Sequence, residues 1–528
     1  MRINKSLNLS SYSKLVAVFV ILILLQTQIT VTNGSISIST NLLIQNSLDE
    51  TSSNRFEGYN LVVLEQNNYS TGGFLSRKIV ITDLDGNIII ERGISSEPLL
   101  ADQPIEFINS TTLIYGDYGG AKLWNIETNV TVNLYFEGHH EIEMDHLRDT
   151  YFTLDSYEVD INEKTYLFDL INEYNSTGHL IRSIDTRNYV ELWQTCPFED
   201  ELAILDITHA NSLVFDEDED MMYLNCRSTN TFYKIDHQTG DLIWGLGEHG
   251  NFTMYDIYGN QRDYLFFHSH SLEKIGDDRF LLFDNDFHNQ TDAMNRHSRL
   301  VEITIDEDKM QANVTWEWSA PTDYWSIIWG DCDLLPNNNK LGVFGHTTYL
   351  GESQGSKAIE VSNEGEIVWK LFSPIEEDEL YEFYRMERIR FSPITSPPIF
   401  VDLEDNQYFE WNVWYNFRSK TNFTGEYFIY LDDQLVENKN ITFPKYWEPL
   451  KVKYYLREIT DGQHQISIVV ADEGGHLSID SEFYENIGSI KFRIGQKIEL
   501  ILGLSLGIGL PVLLVSFFTW SKYLRKKI

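Results

Sequence analysis

The feature that most constrains this chain is a recurring strand–turn–strand unit. A short apolar strand enters an acidic or Gly-containing turn, and a second strand follows that often ends in Trp. The unit appears as Ile81-Thr-Asp-Leu-Asp-Gly-Asn-Ile88, Leu123-Trp-Asn-Ile-Glu-Thr-Asn-Val130 and Ile184-Asp-Thr-Arg-Asn-Tyr-Val-Glu-Leu-Trp193. It returns as Ile235-Asp-His-Gln-Thr-Gly-Asp-Leu-Ile-Trp244, as Ile305-Asp-Glu-Asp leading to Trp316, and as Val361-Ser-Asn-Glu-Gly-Glu-Ile-Val-Trp369. Six copies at irregular intervals of about forty to seventy residues mark a β-propeller, each copy being the outer hairpin of one blade. Between roughly residues 55 and 390 no long helical periodicity competes; short apolar or alternating runs are separated by Asp, Asn and Gly. The expected fold class is all-β, with a six-bladed β-propeller over 57–392.

The punctuation turns Pro-rich at Ser392-Pro-Ile-Thr-Ser-Pro-Pro398, which marks a domain boundary. Residues 399–490 then alternate apolar and polar, as in Glu426-Tyr-Phe-Ile-Tyr-Leu431, and fit a small immunoglobulin-like β-sandwich. This domain is expected to be a stalk without chemistry of its own. Aromatic residues make up 13% of the chain, a content that suits sheets better than helices.

The two ends suggest a location. Arg2, Lys5 and Lys14 precede the apolar run Leu15 to Leu25, so residues 1–32 read as a signal peptide or N-terminal anchor, followed by a linker over 33–56. Leu500 to Trp520 is free of charge and long enough for a transmembrane helix, and the basic tail 521–528 follows it. The positive-inside rule then puts the tail in the cytoplasm and the propeller on the extracellular side of a cell membrane, anchored once at the C-terminus. Sequons at Asn68, Asn109, Asn129, Asn175, Asn251, Asn289, Asn313, Asn422 and Asn440 agree with a glycoprotein facing outward. Cys196, Cys226 and Cys332 allow one disulfide but lack metal-ligand spacing. A formal charge of −40 argues against nucleic acid as a partner.

Histidines stand in short motifs at the ends of apolar strands: Gly138-His139-His140, Thr208-His209-Ala-Asn211, Phe267-His268-Ser-His270 and Phe344-Gly-His346. Each falls in a different repeat. Equivalent strand ends of a propeller converge on one central funnel, so residues distant in sequence can share a pocket there.

The segments His209-Ala-Asn-Ser-Leu-Val-Phe-Asp216, Tyr223-Leu-Asn-Cys-Arg227 and Lys234-Ile-Asp-His-Gln-Thr-Gly-Asp-Leu-Ile-Trp-Gly-Leu-Gly247 resemble the PAPS-independent arylsulfotransferases. Phe280-Leu-Leu-Phe-Asp-Asn285, Ser298-Arg-Leu-Val-Glu-Ile303 and Asp331-Cys-Asp-Leu-Leu-Pro-Asn-Asn-Asn339 are similar to further strands and turns of that family, in the same order. The resemblance covers most of residues 57 to 372 and implies a membrane-anchored variant of the family. It implies a ping-pong transfer of a sulfuryl group from an aryl sulfate to a phenol through a sulfohistidine, with no cofactor and no metal. Matched by position, His209 and His270 are the expected acid–base residues, His346 the nucleophile and Arg299 the catalytic arginine. His139, His140, Asn211, His268 and Arg296 are expected to bind substrate, and the arginine role lies open between Arg296 and Arg299. Two other readings stand beside this one. The first is a catalytically inactive surface propeller acting as a binding or adhesion module. The second is a different propeller enzyme, such as a quinoprotein or a hydrolase with a metal on His268 and His270.

Overall fold

The structure, a computed structural model, describes residues 54–494 except 72, 95–103, 118, 197–204, 287–296, 350–351, 374, 377, 404–405, 457–461 and 488–489. The N-terminal apolar run, the segment 500–520 with its basic tail, Asn289 and Arg296 lie outside the described residues. Among the described residues no helix is long and apolar enough to cross a membrane.

Among the described residues six sheets follow one another along the chain, each built on four antiparallel strands, and three of them carry further short strands. Sheet two comprises Ile105–Asn109, Thr112–Asp117, Gly120–Asn125 and Thr131–Asn133. Sheet three comprises His139–Asp145, Thr150–Ile161, Lys164–Asn175 and Leu180–Asp185, and sheet four Ala210–Asp216, Met221–Cys226, Thr231–Asp236 and Leu242–Gly247. Sheet five runs through His270–Gly276, Arg279–Asp284, Arg299–Asp306 and Gln311–Ser319, and sheet six through Asp331–Leu334, Lys340–Phe344, Lys357–Val361 and Ile367–Phe372. Sheet one is made from both ends of the region. Its strands Tyr59–Asn68, Phe74–Thr82 and Ile88–Ile94 come first in the chain. Its inner strand comes last, because Glu379–Glu382 and Met386–Ile389 pair antiparallel with Tyr59–Asn68.

Burial confirms a propeller-like ring. The inner strands Ala210–Asp216, His270–Gly276 and Asp331–Leu334 are buried throughout, whereas the outer strand Ile88–Ile94 alternates half-buried and exposed. Six apolar cores each join neighbouring sheets. Phe232 and Trp244 pack with Phe280 and Val301 between sheets four and five, and Phe152 packs with Leu213 and Tyr233 between sheets three and four. The last core closes the circle, joining Leu341 and Trp369 of sheet six to Val62 and Val80 of sheet one. Sheets that bury both faces in this way leave only short edges unpaired.

Five of the six sequence repeats are the hairpins between third and outer strands. The third, Ile184 to Trp193, is displaced. Its first residues finish the outer strand Leu180–Asp185, and the chain then passes through two short 3-10 turns, Thr186–Asn188 and Leu192–Gln194. The hairpin of sheet three lies earlier, at Asn175-Ser-Thr-Gly-His, where Asn175 Oδ1 accepts from the backbone of Thr177 and His179.

Residues after 392 form two facing sheets. One holds Ile394–Thr395, Ile399–Leu403, Asn406–Trp414 and Leu450–Tyr455; the other holds Phe423–Leu431, Gln434–Phe443, Gly462–Asp472, Leu477–Ile487 and Ile490–Ile494. Trp411 and Val413 meet Ile429, Ile468 and Val470 between them. The expectation of an inert stalk is corrected here. The same core continues into Leu61, Ile79, Leu113 and Tyr115 of sheets one and two, so the sandwich is packed on the ring. It also sends polar side chains into the ring's base. Lys445 Nζ lies 2.7 Å from Asp216 Oδ1, Arg418 pairs with Glu273, and Lys420 pairs with Glu143. The possible disulfide is also absent among the described residues: Cys196, Cys226 and Cys332 are buried thiols, none joined to another.

Candidate active site

Three of the four histidine motifs occupy the entrances of neighbouring inner strands, where the backbone is irregular in the same way each time; His346 instead follows the second strand of sheet six, Lys340–Phe344. His140, His209 and Ser271 have φ of 58°, 44° and 45°. Pairing with the second strand skips between His139 and Ile142, between Ala210 and Ser212, and between His270 and Glu273. A left-handed non-glycine residue costs energy and a bulge re-aims side chains; both cluster at functional sites. The sandwich grips the far ends of these strands, at Glu143, Asp216 and Glu273, so the histidines stand at the opposite mouth of the channel.

There the rings form a continuous arc. His140 lies 5.5 Å from His209 and 6.0 Å from Tyr384, centroid to centroid, and His270 lies 5.9 Å from Tyr384. Trp329 stacks on Tyr384 at 5.8 Å, and His346 meets Trp329 edge-on at 6.4 Å. Gly345 permits this last approach, since a Cβ at that position would meet Trp329 Cβ at 2.7 Å. His139 sits beside His140 at 5.0 Å, with Nε2 3.4 Å from Asp169 Oδ1.

Three of these imidazoles are oriented alike. His346 Nδ1 is 2.6 Å from Glu382 Oε1, and His209 Nδ1 is 2.5 Å from Asp206 Oδ2. An ionised carboxylate only accepts, so Nδ1 carries the proton and a neutral ring keeps its lone pair on Nε2. Burial would raise Asp206, but the His209 ring outweighs it and holds this carboxyl below the ordinary range. His270 reaches the same tautomer without a charge. Its Nδ1 is 2.7 Å from Asn285 Oδ1, and the Asn285 amide donates to the carbonyls of Ser326 at 2.9 Å and Trp329 at 2.8 Å, which fixes the amide's direction. Burial, then the nearby Arg227 guanidinium, pushes His270 well below the usual imidazole range; burial and the ring of His139 do the same for His140. Both are neutral near pH 7.

The arginine among these rings is Arg385. Its Nη1 donates to Glu141 Oε2 at 2.7 Å and its Nη2 to the Asn211 carbonyl at 2.9 Å, while its Cζ lies 4.9 Å from the Tyr384 ring centre. Arg299, expected in this role, is held inside sheet five. It donates to Asp284 Oδ2 at 2.5 Å, to Glu317 Oε2 at 3.0 Å and to the Leu265 carbonyl at 2.8 Å. It opens the strand Arg299–Asp306 and is paired directly with Asp284, so it is consumed by its own blade. Asn211 contributes its carbonyl, while its amide donates to the Ser269 carbonyl at 2.8 Å. His268 is fully buried just before its strand, and its carbonyl lies 3.2 Å from His270 Nδ1.

Sequence reasoning missed Tyr384, Arg385 and Glu382. Glu382 ends the first segment of the closing strand, and Tyr384 and Arg385 fill the break before its second segment, all beyond the last repeat, where the repeat pattern carries no information. The signal available was the run Glu382-Phe-Tyr-Arg385 itself, an acid, two aromatics and an arginine in the one strand needed to complete a sixth blade.

A ring of antiparallel sheets with oriented imidazoles and a guanidinium at one mouth defines a propeller-like protein with a candidate site on its axis. The family model for arylsulfotransferase (ASST) matches residues 76–382, more than half of the sequence, and the chain belongs to that family. No curated protein matches it. Among solved structures, the periplasmic gluconolactonase of Pseudomonas aeruginosa is similar at 11% identity and a TM-score of 0.33, over 62% of this chain and 100% of that one. A putative 6-phosphogluconolactonase from Bacteroides fragilis is similar at 10% identity and a TM-score of 0.32, over 77% of this chain and 99% of that one. Neither likeness informs function.

Proposed function

We propose that this protein is an aryl-sulfate sulfotransferase that works without a nucleotide donor, by a ping-pong mechanism through a sulfohistidine. The observation that carries the reading is the arc of His140, His209, His270 and His346 with Arg385, drawn from five sheets to one mouth of the channel. In the first half-reaction His346 Nε2 attacks sulfur. The N–S bond forms, the S–O bond to the aryl group breaks, and the departing phenolate takes a proton from Nε2 of the doubly protonated His209 ring, which the Asp206 carboxylate supports. In the second half an acceptor phenol gives its proton to that histidine and attacks the sulfuryl group, which leaves His346. Imidazole serves as nucleophile near neutral pH, and a second imidazole serves as acid and then base. Charge builds on the three equatorial oxygens as in phosphoryl transfer, and a guanidinium is suited to hold two of them. Arg385 replaces Arg299 in that role.

An outward-facing propeller held by a C-terminal membrane helix remains part of the proposal, resting on the charge pattern of the two ends. Protease added to intact cells should then remove the propeller and spare the tail. The activity is tested by incubating the full chain with a chromogenic aryl sulfate, with and without a phenol, and with no nucleotide. Phenol-dependent turnover and a sulfuryl adduct on His346 are expected. Absence of both with several aryl sulfates would leave the binding-module reading as the better one.

A further inference from the structure

Below the histidines, the channel axis holds an excess of buried carboxyl groups. A cavity of about 20 Å³ is lined by four glutamates, Glu387 among them, and by three cations, Arg385, Arg418 and Lys420. Asp331 and Asp333 stand beside it, two residues apart on the inner strand Asp331–Leu334, so their side chains share the axial face. Carboxylate oxygens of Asp331, Asp333 and Glu387 all lie within 4.8 Å of one another. Asp333 is 2% exposed, and neither of its oxygens has a hydrogen-bond partner. Arg418 Nε stands 3.6 Å from its Oδ1, beyond hydrogen-bond reach. A buried carboxylate left this way is costly unless something else pairs with it.

We infer that Asp331, Asp333 and Glu387 form a calcium site that ties the first strand of sheet six to the closing strand of sheet one. The donors are all hard oxygens, which favours calcium or magnesium over zinc or copper. Calcium binds oxygens at about 2.3–2.6 Å, so ligands on opposite sides of one ion lie up to about 5 Å apart, and a single ion reaches all three residues. Three carboxylates offer up to six oxygens, the lower end of calcium's usual count. Magnesium needs a stricter octahedron and keeps several waters, which suits it less to three carboxylates drawn together from two strands. The role of the site is to hold the seam of the ring, just beneath Arg385.

The test uses the full-length protein, stripped with EDTA and dialysed. Elemental analysis and calorimetry with calcium chloride should give one calcium per chain. Calcium should raise the melting temperature, EDTA should reverse the rise, and equal magnesium should raise it less. Asp333→Asn should weaken calcium binding at least tenfold, a scale reached even when only groups that orient metal ligands are removed. The same variant should melt no lower than the wild type when both lack calcium, because it relieves the crowding of three adjoining buried carboxyl groups. Glu387→Gln provides a second variant. The inference is overturned if the wild type binds no calcium, or if either folded variant binds it as tightly as the wild type. A larger shift with magnesium would overturn the choice of metal. These readouts do not involve turnover, so they stand or fall separately from the proposed activity.

Discussion

Replacing Glu382 by Gln should disarm His346 without disturbing the surrounding structure. Glu382 Oε1 accepts from His346 Nδ1 at 2.6 Å, and its Oε2 accepts from Asn67 Nδ2 at 3.3 Å. Asn67 Nδ2 also donates to Glu65 Oε1 at 3.0 Å, which fixes it as a donor. A glutamine here must therefore turn its oxygen toward Asn67 and its NH₂ toward His346. His346 Nδ1 then becomes an acceptor, the proton moves to Nε2, and the lone pair needed for attack is lost. Turning a triad carboxylate into an amide has this effect and lowers kcat about 10⁴-fold, so a loss of about 10³–10⁴, or about 4–5.5 kcal/mol, is expected. The assay combines initial rates on an aryl sulfate with mass spectrometry of the sulfuryl adduct formed without acceptor. Both should fall together, while the melting temperature changes by only a few degrees. A folded variant that retains more than a tenth of wild-type turnover, or that labels as fully as the wild type, would refute the tautomer argument.

Four further outcomes follow from the geometry. His209→Ala should slow turnover by about 10²–10⁴ and leave some adduct on His346, as expected for loss of an acid–base group; undiminished turnover would remove it from the mechanism. Arg385→Met should lower kcat sharply, whereas Arg299→Met should cost about 1–3 kcal/mol of stability in urea unfolding and leave kcat within a few-fold, and the reverse pattern would restore Arg299 to the site. Trp369, 1% exposed and donating to the Leu84 carbonyl at 2.8 Å across the closing seam, should lose about 3–5 kcal/mol of stability on truncation to Ala; a loss under 1 kcal/mol would show that this core contributes little. His476 is pushed up to about 9, by its bond to Asp472 and then by Glu127 of sheet two. Its contribution is therefore complete below its unfolded value near 6.5 and fades as pH rises through about 9, on the order of 1–2 kcal/mol after screening. Urea unfolding of wild type and His476→Gln at pH 6 and pH 10 should show the difference shrinking at the higher pH, and a constant difference would exclude this linkage.

The architecture was legible because it repeats. Alternating strands and Gly or Asp turns recur in five hairpins, and the same physical rule gives five blades their outer edges. The third copy misled because Ile184-Asp-Thr-Arg-Asn has the composition of a turn, and its Asp185 does accept from the Arg187 backbone, but as the cap of a 3-10 turn. The histidines were legible for the same reason as the blades: His139–His140, His209 and His270 each open an inner strand. What the sequence concealed was everything supplied once. Arg385, Tyr384 and Glu382 belong to a strand with no counterpart in the repeat, and no local pattern shows that it returns to pair with Tyr59–Asn68. The place of Arg299 was not legible because a motif fixes a strand position, while the partners that neutralise the side chain, Asp284 and Glu317, come from neighbouring strands. The sandwich looked inert because the cations it inserts, Arg418 and Lys420, acquire meaning only beside the acidic axis they meet.

The closing strand has a consequence for how the chain is made. Tyr59–Asn68 emerges first from the ribosome and finds its inner partner only when residues 379–389 follow, about 300 residues later. At about 5–20 residues per second, that strand edge stays open for roughly 15 to 60 s, and open edges recruit other strands. Five sheets can meanwhile fold on local hairpins, but the contacts that complete the circle are among the longest in sequence, and such contacts form slowly. Strands that arrive last are also held by the fewest local neighbours. Misfolding, domain exchange and mechanical opening should therefore begin at one place, the junction where the start and the end of the propeller meet.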